Sequence, residues 1–249
     1  MTAGEPARGP LRIKEMTPES VRDAALAMPQ LILPVGTTEH QGPHLPLGAD
    51  TFIVERLADD LSTEFRALRA PTIEYGVNDI LEKLFSGGAS VRRKTLRRWV
   101  NDLLSDWEQL GITEVLILTM NGYAPHTEAL CTVVAGAARV RVIDILAIDL
   151  GSVIDYPEDP IHGGEADTSL LLYIRPDLVR MDRAVDCILS EEDLRRYRRG
   201  SALALPAMSV GSVGRTSVAS VEKGRRIYEY ILGRIRERVF KADYPARAV

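Results

Sequence analysis

The chain has 249 residues, enough to bury a full core, and we read it as one domain rather than two small ones. A formal charge of −4 and an aromatic content of 6% lack the basic field that nucleic-acid binding needs, so a small or neutral partner fits better. The opening MTAGEPARGP has no apolar signal segment, and no stretch reaches the roughly eighteen apolar residues of a membrane span. The expectation is an unexported, cytoplasmic protein with a loose stretch over residues 1–10 and one domain over 11–249.

In chain order, LILPVG (31–36) is an apolar run closed by glycine and reads as a strand. TFIVERLADDLSTEF (51–65) follows as a helix, with Ile53, Leu57 and Leu61 at four-residue intervals. KTLRRWVNDLLSDWEQLG (94–111) places Leu96, Val100, Leu103, Leu104 and Trp107 on one side and stops at Gly111. EVLILTM (114–120) is too apolar for a half-exposed strand and reads as central. TEALCTVVAGAARV (127–140) predicts a helix, VRVIDILAID (140–149) a third strand, and EADTSLLLYI (165–174) a helix stopped before Pro176. SEEDLRRYRRG (190–200) is read as a solvated helix, and the tail as a helix with Ile227, Ile231, Ile235 and Val239 on its buried face. Trp99 and Trp107 are expected in the core, as are Cys131 and Cys187, as free thiols. Apolar runs alternating with amphipathic segments predict a three-layer α/β/α domain around a mostly parallel sheet.

In such sheets ligands bind beyond the carboxyl ends of the strands. Three polar loops fall there or nearby: PVGTTEHQGPHLPLGAD (34–50), NGYAPHTE (121–128) and HGGEADTS (162–169). They hold all four histidines, His40, His44, His126 and His162. Taken singly, each residue also has an ordinary structural reading. Asp50 is placed to cap a helix, Glu165 and Asp167 to favour a helix N-terminus, and His126 to lie at a surface or cap.

Taken together, the loops resemble the creatininase family. Residues 34–50 follow its pattern P-x-G-S-x-E-Q-H-G-P-H-L-P-L-x-x-D almost throughout. Asn121, Gly122, Tyr123, Ala124, Pro125 and His126 answer N-G-H-G-G-N, and His162, Gly163, Gly164, Glu165, Thr168 and Ser169 answer H-A-G-E-x-x-T-S. The resemblance implies the family's fold, a homo-oligomer, a small-molecule substrate and hydrolysis of an amide by metal-bound water. Carried over, Glu39, Asp50 and Glu165 become metal ligands and His162 a general acid or base. Gln41, His44, Asn121 and His126 become substrate contacts.

Departures accompany the matches. His40-Gln41 stands where the family has Gln-His, which puts an amide at a ligand position and turns the imidazole toward the opposite face. Tyr123 replaces a second family histidine and Leu81 a third. Three carboxylates without imidazoles suit a hard ion such as Mg²⁺ or Mn²⁺ better than Zn²⁺; without any ion, one of them should hold a proton. His40 and His126 are the spare imidazoles that could replace a lost ligand. Three functions stay open: an amidohydrolase or lactam-forming cyclase on a small cyclic or formyl amide, with one divalent ion (Mn, Mg or Zn) or a weakened pair; a metal-independent enzyme using Glu39, Tyr123 and His162; and a non-catalytic binding protein.

Overall fold

The computed structural model describes residues 9–79, 85–198 and 210–241. Most of the N-terminal stretch expected to be loose, and Leu81, lie outside these residues. Five parallel strands form one sheet in the order β1-β3-β2-β4-β5: β1 Leu11–Arg12, β2 Gln30–Val35, β3 Leu68–Arg69, β4 Glu114–Thr119 and β5 Arg139–Asp144. The helices are α1 Pro18–Ala27, α2 Ala49–Phe65, α3 Arg93–Gln109, α4 Ala124–Cys131, α5 Glu165–Ile174, α6 Glu191–Arg198 and α7 Val221–Ile235.

Side chains of a strand alternate between faces, and the two central strands use both. Leu31, Leu33, Val35, Val115 and Ile117 pack with Leu96, Val100 and Leu104 of α3, whereas Ile32, Leu116 and Leu118 pack with Ile53 and Leu57 of α2 and Ile227 and Ile231 of α7. The two cores on opposite faces establish the three layers. Pro34 is tolerated in β2 because β3 pairs only with Leu31 and Ile32, so the missing N–H falls beyond that ladder.

Several expectations need correction. The helix expected over 127–140 is the shorter α4. The Glu128 carbonyl is closed by Thr132, whose hydroxyl donates to it, and the chain beyond leaves the helix and bends at residues 136–137 against α3. Asn101 accepts the Val134 N–H, and the Glu108 carboxylate accepts those of Gly136, Ala137 and Ala138. The third strand ends at Asp144, whose carboxylate caps a short turn by accepting the Leu146 N–H. Trp99 is 42% exposed rather than core, because it lies off the Leu96–Val100–Leu104 stripe; Trp107 is partly buried against that core. Both cysteines are free, but Cys131 is exposed at the end of α4 and Cys187 is half-buried beside Gly214. The tail face is as expected, with Ile227, Ile231, Ile235 and Val239 all buried. Among the described residues no helix is long and apolar enough to cross a membrane.

Candidate active site

The strand order reverses between β2 and β4. The chain leaves β2 for β3 on one side and returns to β4 on the other, which opens a crevice at the carboxyl ends of the two. Glu39, just beyond β2, and Asn121, just beyond β4, meet there: the Asn121 amide donates to Glu39 Oε2 at 2.8 Å. Asp50, in the first turn of α2, accepts the Thr37 hydroxyl on Oδ2 at 2.9 Å. Gln41 joins the two acids. Its Nε2 lies 2.6 Å from Asp50 Oδ1 and 3.3 Å from Glu39 Oε1. Glu39, Gln41 and Asp50 are buried, whereas Asn121 is partly exposed.

The third acid is not the expected one. Glu165 points away, to α7: Lys223 Nζ lies 2.9 Å from its Oε1, and the N–H groups of Asp155 and Tyr156 donate to the same carboxylate. Its role is to anchor α5, so the metal-ligand expectation for Glu165 is corrected. Residues two apart on a helix lie about 200° apart around its axis, and Asp167 takes the face that Glu165 leaves. Its Oδ2 accepts the Gly163 N–H at 2.6 Å. Burial raises its pKa to about 6. Burial raises Asp50 well above the usual carboxylate range too, reinforced by the negative charge of Asp167 and opposed by hydrogen bonds from Gln41 and Thr37. Gly163 has a φ of +69°, and a Cβ there would strike the Gln41 carbonyl, so only glycine lets this turn press against the Gln41 loop.

The histidines fall into two groups. His126 is fully buried; its Nδ1 accepts the Val77 N–H at 3.1 Å, so Nε2 carries the proton toward Thr119 Oγ1 at 2.9 Å. His44 Nε2 lies 2.8 Å from Thr168 Oγ1, and Thr168 in turn donates to the Gly163 carbonyl. That network assigns the His44 proton to Nε2. Both rings brace the loops from inside, which corrects their expected role as substrate contacts; His126 is neither at a surface nor free to replace a ligand. His40 stacks on Phe85 with ring centroids 4.1 Å apart and accepts the Gly42 N–H on Nδ1, so it is not a substitute ligand either.

His162 and Tyr123 are partly exposed at the rim, each close enough to Asp79 to feel its charge. Tyr123 precedes α4, and its ring packs on the α3-side core. Burial, then Asp79, raises the phenol pKa, so Tyr123 is a weaker proton donor than free tyrosine. Burial, then the neighbouring His40, lowers His162 to about 4, against hydrogen bonds to the backbone of Gly211 and His40. At neutral pH His162 is an uncharged imidazole, with a lower proton affinity than a free one.

His44, His126 and His162 all have pKa values lowered to about 4, chiefly by burial. Between there and the unfolded value near 6.5 the unfolded chain binds more protons, so the histidines make stability fall with acidification. Asp50 and Asp167, with raised values, have the opposite sign. Three groups against two leave a net loss: the midpoint of thermal unfolding is expected to fall between pH 6.5 and 4.5. A constant or rising midpoint over that interval would show that the buried rings titrate normally.

A parallel-sheet α/β enzyme with a carboxylate-lined crevice at the strand-order reversal is the class this arrangement defines. The chain belongs to the creatininase family: the family model for creatinine amidohydrolase matches residues 14–239. It is 30% identical over 224 residues, 85% of each chain, to the mycofactocin precursor peptide peptidase of Mycolicibacterium smegmatis. It is 28% identical over 182 residues to the creatinine amidohydrolase of Pseudomonas putida, covering 63% of this chain and 68% of that one. A creatininase crystal structure superimposes with a TM-score of 0.77 at 23% identity, over 95% of this chain and 99% of that one. Other creatininase structures of the same fold include a manganese form and a Zn-Zn form. By family the chain is a hydrolase of C–N bonds.

The donor set decides which metal the residues suit. Among the described residues no three His, Cys, Asp or Glu side chains are grouped to hold an ion. The imidazole positions are filled by Gln41 and Tyr123, so a two-ion cage with nitrogen ligands does not fit. The oxygens of Glu39 and Asp50 are of the kind a hard ion prefers; the Gln41 amide presents its nitrogen to them, and its Oε1 is a buried carbonyl without a hydrogen-bond partner.

Sequence reading missed Thr37, Asp79 and Asp167. The two acids in HGGEADTS carried the signal for Asp167, since on a helix only one of them can face the crevice.

Proposed function

We propose that the chain hydrolyses a small cyclic or formyl amide, or forms the corresponding lactam in reverse, in the crevice between the carboxyl ends of β2 and β4. The observation that carries this reading is the buried Glu39–Gln41–Asp50 chain, with Asn121 tying Glu39 to β4. One hard divalent ion, Mn²⁺ or Mg²⁺, would be held by Glu39, Asp50 and Gln41; when bound, such an ion polarises a carbonyl and acidifies water.

The remaining roles fall to the protein. Asn121 fixes the direction of Glu39, and Thr37 that of Asp50, so that neither carboxylate loses orientation when a substrate enters. Thr119, beneath Asn121, is itself fixed by His126. His162, neutral at the rim, takes the proton released as the amide carbon is attacked and returns it to the leaving nitrogen. Tyr123 is assigned to substrate contact at the same rim rather than to proton donation, because its phenol is harder to ionise than usual. A cytoplasmic, homo-oligomeric protein accompanies this reading.

The test is turnover of a panel of five- and six-membered lactams, ureido rings and formamides by stripped protein supplied with Mn²⁺ or Mg²⁺. Opening or closing of at least one ring with Mn²⁺, reduced in His162→Gln, is expected. Full turnover in excess chelator would instead favour metal-independent chemistry on the same carboxylates, whose oxygens already have protein donors.

A further inference from the structure

We propose that the Gln41 amide is a two-way element, donating hydrogen bonds to the carboxylates in the ion-free protein and turning its oxygen inward as a ligand when a hard ion enters. The inference rests on the reading that one such ion is held by Glu39 and Asp50. It adds what this chain has in place of an imidazole.

The Gln41 amide is paired at one end and unpaired at the other. Its Nε2 makes bonds of 2.6 Å to Asp50 and 3.3 Å to Glu39. Its Oε1, on the same terminal group, is buried at a residue 4% exposed and has no partner. An unpaired buried carbonyl is unfavourable, and most buried polar atoms avoid that condition. The carboxylates explain the orientation. If the oxygen faced them with no ion present, three oxygens would crowd together around one point, so the N–H end is held inward and the carbonyl is left without a donor.

A half-turn about the last side-chain bond exchanges nitrogen and oxygen at nearly the same positions. With an ion present, that turn replaces two hydrogen bonds with a third oxygen ligand beside Glu39 Oε1 and Asp50 Oδ1. It gives the carbonyl a partner and moves the NH₂ to the buried position the carbonyl had held. An all-oxygen set favours Mn²⁺ or Mg²⁺, and it lacks the nitrogen or sulfur that would favour zinc. A neutral amide allows both states, because a carboxylate at position 41 would add a further buried acid beside Glu39 and Asp50 whenever the ion left. The loop holds the backbone of Gln41 against Gly163, so the exchange needs only the side-chain torsion and no loop movement.

The test uses the full chain, stripped of metal, with Mn²⁺ and Zn²⁺ titrated by calorimetry and Mg²⁺ followed by the side-chain amide resonances of ¹⁵N-labelled protein. Expected are binding of Mn²⁺ in preference to Zn²⁺ and a large shift of one Gln-type NH₂ pair on Mg²⁺ addition. That pair should be absent from the spectrum of Gln41→Met. Gln41→Met should bind Mn²⁺ about tenfold or more weakly, and Gln41→Glu about tenfold more tightly, each with unfolding cooperativity confirming the fold. Equal Mn²⁺ affinity in Gln41→Met and the native protein would overturn the role of Gln41 while leaving the ion site standing. Absence of Mn²⁺ binding in both the native protein and Gln41→Glu would overturn the ion site as well, and the role of Gln41 with it. Binding as expected without turnover of any amide would count against the hydrolase reading alone.

Discussion

Asp50→Asn is expected to lower Mn²⁺ affinity by more than about 100-fold and to remove amide turnover, with the fold retained. Changes to groups that only orient a ligand already weaken metal sites by roughly 10- to 100-fold, and Asp50 supplies an oxygen directly in the proposed site. The substitution keeps shape and volume; Thr37 still finds an acceptor in the new amide oxygen, and the new NH₂ is matched once the Gln41 amide turns its oxygen to it. It also removes a buried carboxyl whose charge is opposed by burial and by Asp167, so thermal stability in the absence of metal should be equal or higher. Loss of ion binding together with unchanged or increased stability would separate a functional role for Asp50 from a structural one. Titration of Mn²⁺ into stripped variant protein, beside a thermal melt, measures both.

The second large effect lies in the fold that positions Asp50. Gly36 ends β2 where α2 passes closest: a Cβ on Gly36 would lie 2.6 Å from the Thr51 Cα and strike its Oγ1. Because the obstacle includes backbone, the first turn of α2 must move for an alanine to fit. Thr51 also donates from that turn to the Thr37 carbonyl at 3.0 Å, and Asp50 is its neighbour. Gly36→Ala is therefore expected to destabilise the protein by about 3 kcal/mol, the upper end for overpacking a tight interior, and to weaken Mn²⁺ binding through the shift of Asp50. Urea unfolding measures the first effect and ion titration the second; a stable variant with native ion affinity would show that β2 and α2 tolerate separation.

Much of this architecture was legible in the sequence because its signals are periodic. β2 and β4 are runs of residues buried on both faces, and α7 repeats isoleucine every fourth position. β1 and β3, with two residues each, are too short to show a period, and their pairing depends on contacts distant in sequence. α1 carries Leu26 exposed at its end, so its apolar stripe is weak. In the site, Glu39, Gln41, Asp50 and Asn121 were found because their loops resemble the creatininase motifs residue by residue. Side-chain direction was not legible. Glu165 and Asp167 differ only in which way a helix turn aims them, and that depends on Lys223, 58 positions from Glu165 along the chain. His44 and His126 carried the chemistry of site residues, yet Thr168, Thr119 and the Val77 N–H hold them as interior braces. Nor could spacing reveal that Gln41 would place its nitrogen between two carboxylates.

The ion content of the native protein decides whether Glu39, Gln41 and Asp50 hold a single hard ion. Protein prepared without chelator or a metal-binding tag, dialysed against Mn²⁺ and then against metal-free buffer, would be analysed for manganese and zinc per chain, beside Asp50→Asn. Close to one manganese per chain is expected, with little zinc in competition and no manganese in the variant. Two ions per chain, a preference for zinc, or manganese retained by Asp50→Asn would contradict a single hard-ion site.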